Sequence, residues 1–195
     1  MFKKLLPLFL CLTLCFLAGC SQKSERLSVD NGEEPQSSAA SEADPVLFKN
    51  PLTGIADLSE DKTDDRPVAI MINNITTAQP VQTGLNRADI VYETEVEGGI
   101  TRLLAVYQDV SKVGKIGSIR SARYPYVDLA LGHDAIYLHH GQDETYCAPH
   151  LKDIDDINIS TNNYGIRISN GLASEHTLYT EGSKLWNGLV KDKVK

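Results

Sequence analysis

The residues best equipped for chemistry lie in one short run, Ser118-Ile119-Arg120-Ser121-Ala122-Arg123-Tyr124-Pro125. It falls between the end of an expected strand and the start of an expected helix. Two guanidinium groups and two serine hydroxyls meet there with the unpaired N–H groups of a helix start, a combination suited to a carboxylate or a phosphate. The planar guanidinium fork grips two oxygens at once. The same arginines have an equally sound structural use, capping carbonyls or pairing with glutamates. Such glutamates are near: Glu93, Glu95 and Glu97 alternate along an expected strand, so their side chains share a face. Arg102, across the hairpin turn, is their natural counter-ion. The result is either a solvated face with cross-strand ion pairs or a site in which one glutamate titrates near neutral pH.

Histidines form the second group. His139 and His140 end an expected strand and so point to opposite faces, which disfavours a shared metal. His176 sits in Ser174-Glu175-His176-Thr177-Leu178-Tyr179-Thr180. No zinc spacing of the HExxH kind occurs, so no metal is expected. Hydrogen-bonded structural histidines are favoured over an acid–base pair of His139 or His140 with His176. Asp153, Asp155 and Asp156 lack the glycine and distal glutamate of a calcium loop and read as a solvated loop. Cys147 reads as a small semi-buried hydrophobe, with a nucleophile paired to His150 or His176 as the alternative. Nucleotide and serine-hydrolase motifs are absent, so no cofactor is expected. The ligand-binding candidates are Arg102, Arg120, Ser121, Arg123, His140 and Tyr179. The catalytic candidates, should the chain be an enzyme, are Glu95, Glu97 and His176.

These groups need elements to hold them. Expected strands cover 68–72, 90–96, 102–108, 115–119 and 135–139, the second and third joined by the Glu97-Gly98-Gly99 turn. Pro125 suits a first helical position and Gly132 the residue after a helix end, which places a helix between them. A short helix is expected over 144–151. A last one is expected from Thr180 as its cap through Leu185, Trp186, Leu189 and Val190. Residues 48–54 read as a docking turn. The expected fold is α/β or α+β, a mixed sheet of about five strands with flanking helices after a disordered tether.

Composition says where the domain works. Lys3 and Lys4, the apolar run Leu5 to Phe16 and then Leu17-Ala18-Gly19-Cys20 form a secretory signal ending in a lipid-modified cysteine. The run is too short for a spanning helix, which needs roughly 20 apolar residues. The expected organisation is a signal over 1–19, a lipidated Cys20 with a flexible tether over 20–47, and a globular domain over 48–195. Within the mature chain only Cys147 would remain unmodified, so an intrachain disulfide is not expected. The net charge of −7 is uneven: residues 21–65 hold eleven acids and four bases. Residues 98–127 carry Arg102, Lys112, Lys115, Arg120 and Arg123 against Asp109 alone. That local excess favours an anionic ligand. Nucleic acid is not expected, because there is no basic helix or broad positive surface.

Several segments, in order, resemble the YerB-like lipoprotein family, filed as domain of unknown function 3048. They are Arg66-Pro67-Val68-Ala69-Ile70-Met71-Ile72-Asn73-Asn74, Gly84-Leu85 through Ala88-Asp89-Ile90-Val91-Tyr92-Glu93, Glu97-Gly98-Gly99-Ile100-Thr101-Arg102, Ile116-Gly117-Ser118-Ile119-Arg120-Ser121-Ala122-Arg123 and His176-Thr177-Leu178-Tyr179-Thr180. The resemblance spans roughly residues 47–191, with His140-Gly141-Gln142-Asp143 departing from it. It implies a lipid-anchored protein on the outer face of a Gram-positive cell membrane, with a second, C-terminal domain that is missing here. It implies no reaction. The expected role is a membrane-anchored binding or regulatory module that recognises an anionic envelope ligand or a partner protein. The alternative is a hydrolase or transferase acting on a wall polymer or lipid-linked phosphate. Glu95 or Glu97 would then be the base, the arginines an electrophilic clamp and His176 the acid.

Overall fold

The run Val68-Ala69-Ile70-Met71-Ile72-Asn73 has no polar residue before its last position, and such a strand is stable only with both faces covered. The computed structural model describes residues 45–161 and 163–190, and in it this run is β3 (Val68–Asn73), buried at all six positions. The expected signal and most of the tether lie outside the described residues. β3 is the middle of a five-stranded mixed sheet of order β4-β5-β3-β7-β8. β4 (Ile90–Glu95), β5 (Thr101–Tyr107) and β3 run antiparallel. β7 (Ile136–His139) and β8 (Asp156–Asn158) are parallel to β3.

Strand alternation divides the apolar side chains between two cores. Val68, Ile70 and Ile72 face one side with Leu103, Ala105 and Tyr107. They meet Ile116, Leu178, Leu185 and Val190, which belong to a three-stranded sheet and the last helix. That sheet has the order β6-β10-β9, made of β6 (Lys115–Gly117), β9 (Ile166–Arg167) and β10 (Leu178–Glu181). Ala69, Met71, Leu104 and Val106 face the other side. There they meet Tyr126, Val127 and Ala130 of α1 (Tyr124–Gly132) and Leu151 of α2 (Ala148–Leu151). Burying each large apolar side chain contributes about 1.5–3 kcal/mol, so the two cores together hold the layers.

The main sheet has the expected fold class, and the structure corrects several details. Residues 48–58 form a small hairpin of β1 (Phe48–Lys49) and β2 (Ala56–Leu58), not a docking turn alone. β6 ends at Gly117, because Ile119 leaves the strand to bridge Ile72 of β3. Thr180 is not a cap: it lies inside β10, and α3 (Gly182–Leu185) starts two residues later, continuing as a wider turn over Trp186–Val190. Gly182 is required there, since a Cβ would sit 2.1 Å from the Val110 carbonyl oxygen. The helix expected over 144–151 is confined to α2, because Pro149 sets its first turn. Asp156 belongs to β8 and pairs with His139, so it is not part of a solvated loop.

Ile70 is wholly buried at the centre of the sheet. Replacing it with Ala should cost about 2–5 kcal/mol. The loss should appear as a lower urea midpoint with an unchanged slope.

Candidate functional site

The turn between β4 and β5 sets the first part of the site. Gly98 and Gly99 both adopt positive φ, +73° and +70°, which lets the chain reverse within Glu97–Gly99. Strand alternation stops at Glu95, so Glu97 leaves the face that carries Glu93 and Glu95. Glu93 instead accepts from Thr101 Oγ1 at 2.6 Å and Asn74 Nδ2 at 2.9 Å. Glu97 turns toward α1. Arg123, at the cap position of α1, donates from Nε to both Glu97 oxygens, at 3.0 and 2.8 Å, and from Nη2 to Oε1. Its Nη1 donates to the Ala122 carbonyl at 2.8 Å.

Arg102 completes this cluster from beneath. It is 3% exposed on β5, where register places it opposite Thr94 and on the α1 side of the sheet. Its Nη1 donates to the Ser121 carbonyl and its Nη2 lies 3.5 Å from Glu97 Oε1. Hydrogen bonding from Arg123 is the main reason the Glu97 carboxyl is held down at about 2. Burial lowers Arg102 to about 10, helped by the like charge of Arg123 and opposed by Glu97. Arg102 therefore stays charged at neutral pH, inside the protein, and needs this carboxylate.

Arg120 goes elsewhere. The 118–123 connector is stitched on both sides: Ile119 N–H donates to Leu178, Arg120 N–H to Met71 and Ala122 N–H to Gly141, at 2.8, 3.1 and 2.9 Å. Arg120 and Arg123 are three residues apart in this extended stretch, and an odd spacing sends them to opposite sides. Arg120 Nη2 lies 3.5 Å from Glu175 Oε2. Glu175 Oε1 is 3.2 Å from His176 Nε2. The buried His176 takes Asn73 Nδ2 at 2.8 Å on its Nδ1, which leaves the proton on Nε2 facing Glu175.

His140 lies beside Arg120, its N–H donating to the Arg120 carbonyl at 3.0 Å. Arg167 of β9 donates from Nη2 to His140 Nε2 at 3.2 Å, so the ring proton sits on Nδ1, 2.7 Å from Ser160 Oγ. Burial, then the charges of Arg167 and Arg120, lower the His140 pKa below its ordinary value. The imidazole is neutral near pH 7, beside the guanidinium groups of Arg120 and Arg167, of which Arg120 has Glu175 nearby.

The candidate residues therefore fall into separate places. Arg102, Arg123 and Glu97 meet in one cluster. Arg120, His140 and His176 meet in another. Ser121 joins the first through its carbonyl alone. Tyr179 is 3% exposed and donates to the Val81 carbonyl at 3.0 Å, as a packing residue does. Glu95 and Glu97 line a groove of about 440 Å³ with Arg123 and Tyr124, and His176 is not on its wall. Cys147 is buried, and burial pushes its thiol up to about 11. Among the described residues no group of three or more His, Cys, Asp or Glu is placed to hold a metal. Sequence reasoning missed Arg167 and Ser160, which lie outside any periodic segment. It also missed the His139–Asp156 contact of 2.9 Å, made across two parallel strands.

An α+β domain with this arginine-rich connector defines the class. Residues 52–195 match the family model described as "Protein of unknown function (DUF3048) N-terminal domain", and the chain belongs to that family. It is similar to the Bacillus subtilis (strain 168) protein named "Putative lipoprotein YerB", 47% identical over 95 residues, which are 48% of this chain and 28% of that protein. A crystal structure of the YerB protein from Bacillus subtilis aligns with a TM-score of 0.65 at 33% identity, covering 76% of this chain and 51% of that one. The chain thus spans about half, or less, of the length of these relatives. The relative's name supports a lipoprotein and says nothing of a ligand or reaction.

Glu97 has a depressed carboxyl, so its pairing stabilises the fold above its unfolded value and is lost as pH falls toward about 2. Between about pH 4.5 and 2 the wild type should lose more stability than Glu97→Gln, measured by urea unfolding at stepped pH. At pH 7, Glu97→Ala should cost more than the ~1 kcal/mol of an exposed pair. It should cost less than the ~3–5 kcal/mol of a wholly buried one.

Proposed function

We propose that this domain is a binding module tethered to the outer face of the cell membrane through lipidated Cys20, and that it recognises an anion of the envelope. The observation that carries this reading is the unequal fate of the arginines. Glu97 holds Arg123 through hydrogen bonds to both of its oxygens and lies 3.5 Å from the buried Arg102. Arg120 meets only Glu175, at a loose 3.5 Å, and Arg167 beside it donates to the Ser174 carbonyl, Thr177 Oγ1 and His140 rather than to a carboxylate. Together with His140 and Ser160 they form a half-open polar patch of net positive charge. A carboxylate or phosphate docking there gains charge-assisted hydrogen bonds from two guanidinium groups. Arg102 and Arg123 serve this site indirectly, by fixing the connector from which Arg120 projects. Nothing in this reading involves nucleic acid or a cofactor.

The enzymatic alternative has less support. Glu97 is a poor base with its carboxyl at about 2 and both oxygens engaged by Arg123. His176 spends its ring nitrogens on Asn73 and Glu175.

Inorganic phosphate is the simplest probe. Its negative charge offsets the cationic neighbours that hold His140 down, so phosphate should raise the His140 pKa in a histidine NMR titration. Arg120→Ala should abolish that rise while moving the melting temperature little, since the lost ion pair is exposed and worth ~0–1 kcal/mol. A His140 titration indifferent to phosphate would count against the anion site. Unfolding of the variant would make Arg120 a structural residue instead.

A further inference from the structure

The Arg120 patch contains one nitrogen whose partner depends on a proton. His140 follows β7 and Ser160 follows β8, so both stand at the carboxyl ends of parallel strands, a common place for ligand sites. Arg167 Nη2 donates to His140 Nε2 at 3.2 Å. A guanidinium N–H can only donate, so this contact needs an unprotonated Nε2. The opposite nitrogen, Nδ1, donates to Ser160 Oγ at 2.7 Å and leaves the hydrogen of that hydroxyl free for another acceptor. Arg167 is anchored independently, because its Nη1 donates to the Ser174 carbonyl and to Thr177 Oγ1. When Nε2 gains a proton, two donors face each other. Their contact must then open, and an acceptor placed between them satisfies both.

The surrounding charges say which acceptor fits. Burial opposes charging the His140 ring, and so do Arg167 of β9, Arg120 of the connector and His139 of β7, which Asp156 of β8 faces at 2.9 Å. The ring therefore stays neutral until a negative ligand outweighs these neighbours. The carboxylate of the patch is Glu175, 3.5 Å from Arg120 and 3.2 Å from the His176 ring. With His140 charged, three cations (Arg120, Arg167 and His140) stand against this one carboxylate, and two positive charges remain to be met.

We propose that this patch binds a dianionic oxyanion together with one proton from solvent, which His140 Nε2 takes up and presents to the ligand. The inference rests on the anion-binding reading above and adds the ligand's charge and its proton dependence. Arg167 Nη2, released from the ring, and the Ser160 hydroxyl complete the contacts. The head of a phosphate monoester has the required charge. A phosphate diester or a carboxylate, with a single negative charge, leaves one cation unmet. The binding energy linked to the proton is fully present below the pKa of the free ring, and it is lost as pH rises through the pKa of the bound one.

The test uses the full-length chain in a polyoxyethylene detergent. Its probes are sulfate and methyl sulfate, which remain a dianion and a monoanion across the range in which histidine titrates. Titration calorimetry in buffers of different protonation enthalpy counts the protons taken up. At neutral pH, sulfate should bind with uptake of up to about one proton, and its affinity should rise as pH falls by up to about tenfold per pH unit. Methyl sulfate should bind more weakly. His140→Gln keeps a hydrogen-bonding amide but cannot take the proton, so sulfate should bind it more weakly, with no uptake and no dependence on pH in the histidine range. Proton uptake that persists in His140→Gln would overturn the proposal. So would sulfate binding without uptake, or methyl sulfate bound as tightly as sulfate. The anion-binding reading survives each of those results. It fails, and this inference with it, when neither anion binds at any pH.

Discussion

A buried guanidinium governs this domain. Arg102 stands on a central strand at 3% exposure, and an ion in that position is tolerated only with a close counter-charge and hydrogen-bond acceptors. Glu97 supplies the charge and the Ser121 carbonyl supplies an acceptor. Each demand shapes a segment. The β4–β5 turn must reverse through two positive-φ glycines to bring Glu97 over the sheet. The connector after β6 must cross the same spot in extended form to present its carbonyl. Arg123 follows from this geometry, because it opens α1 directly above the carboxylate it shares.

That arrangement also sorts charge across the surface. Three arginines near one another in sequence would form one strongly positive site if they pointed together. Instead two are held by a single glutamate, and the third projects to the other side of the connector toward Glu175, His140 and Arg167. One side of the connector is thereby left cationic. The other holds Arg102 and Arg123 against Glu97. One extended segment, stitched to β3, β10 and the residues after β7, separates the two arginine clusters.

Much of the main sheet was legible in the sequence. β3, β5 and β7 announce themselves as largely apolar runs, and α1 by Pro125 in its first turn and by Gly132, which is its last helical residue rather than the residue after its end. The alternation of β4 also marks a strand with one solvated face. β8 and β9 span three and two residues, too short for any periodic signal. β10 was hidden because Thr180 suits a helix cap as well as a strand, and its partners lie far off in sequence. At the site, the affinity of Glu97 for arginine was readable from type and spacing. Which arginine it would take was not, because that depends on where the turn ends and on the odd spacing of Arg120 and Arg123. Arg167 carried no signal, since its role arises only when β9 pairs with β10.

The central claim is that Glu97 withdraws Arg102 and Arg123 from ligand binding and leaves it to Arg120, with Arg167 beside it. It is tested most directly by resolving the guanidinium Nε–H signals of all four arginines by NMR while inorganic phosphate is added. The account predicts that the Arg120 and Arg167 signals move and saturate together while those of Arg102 and Arg123 stay fixed. Movement of the Arg102 or Arg123 signals, with Arg120 and Arg167 unmoved, would contradict it.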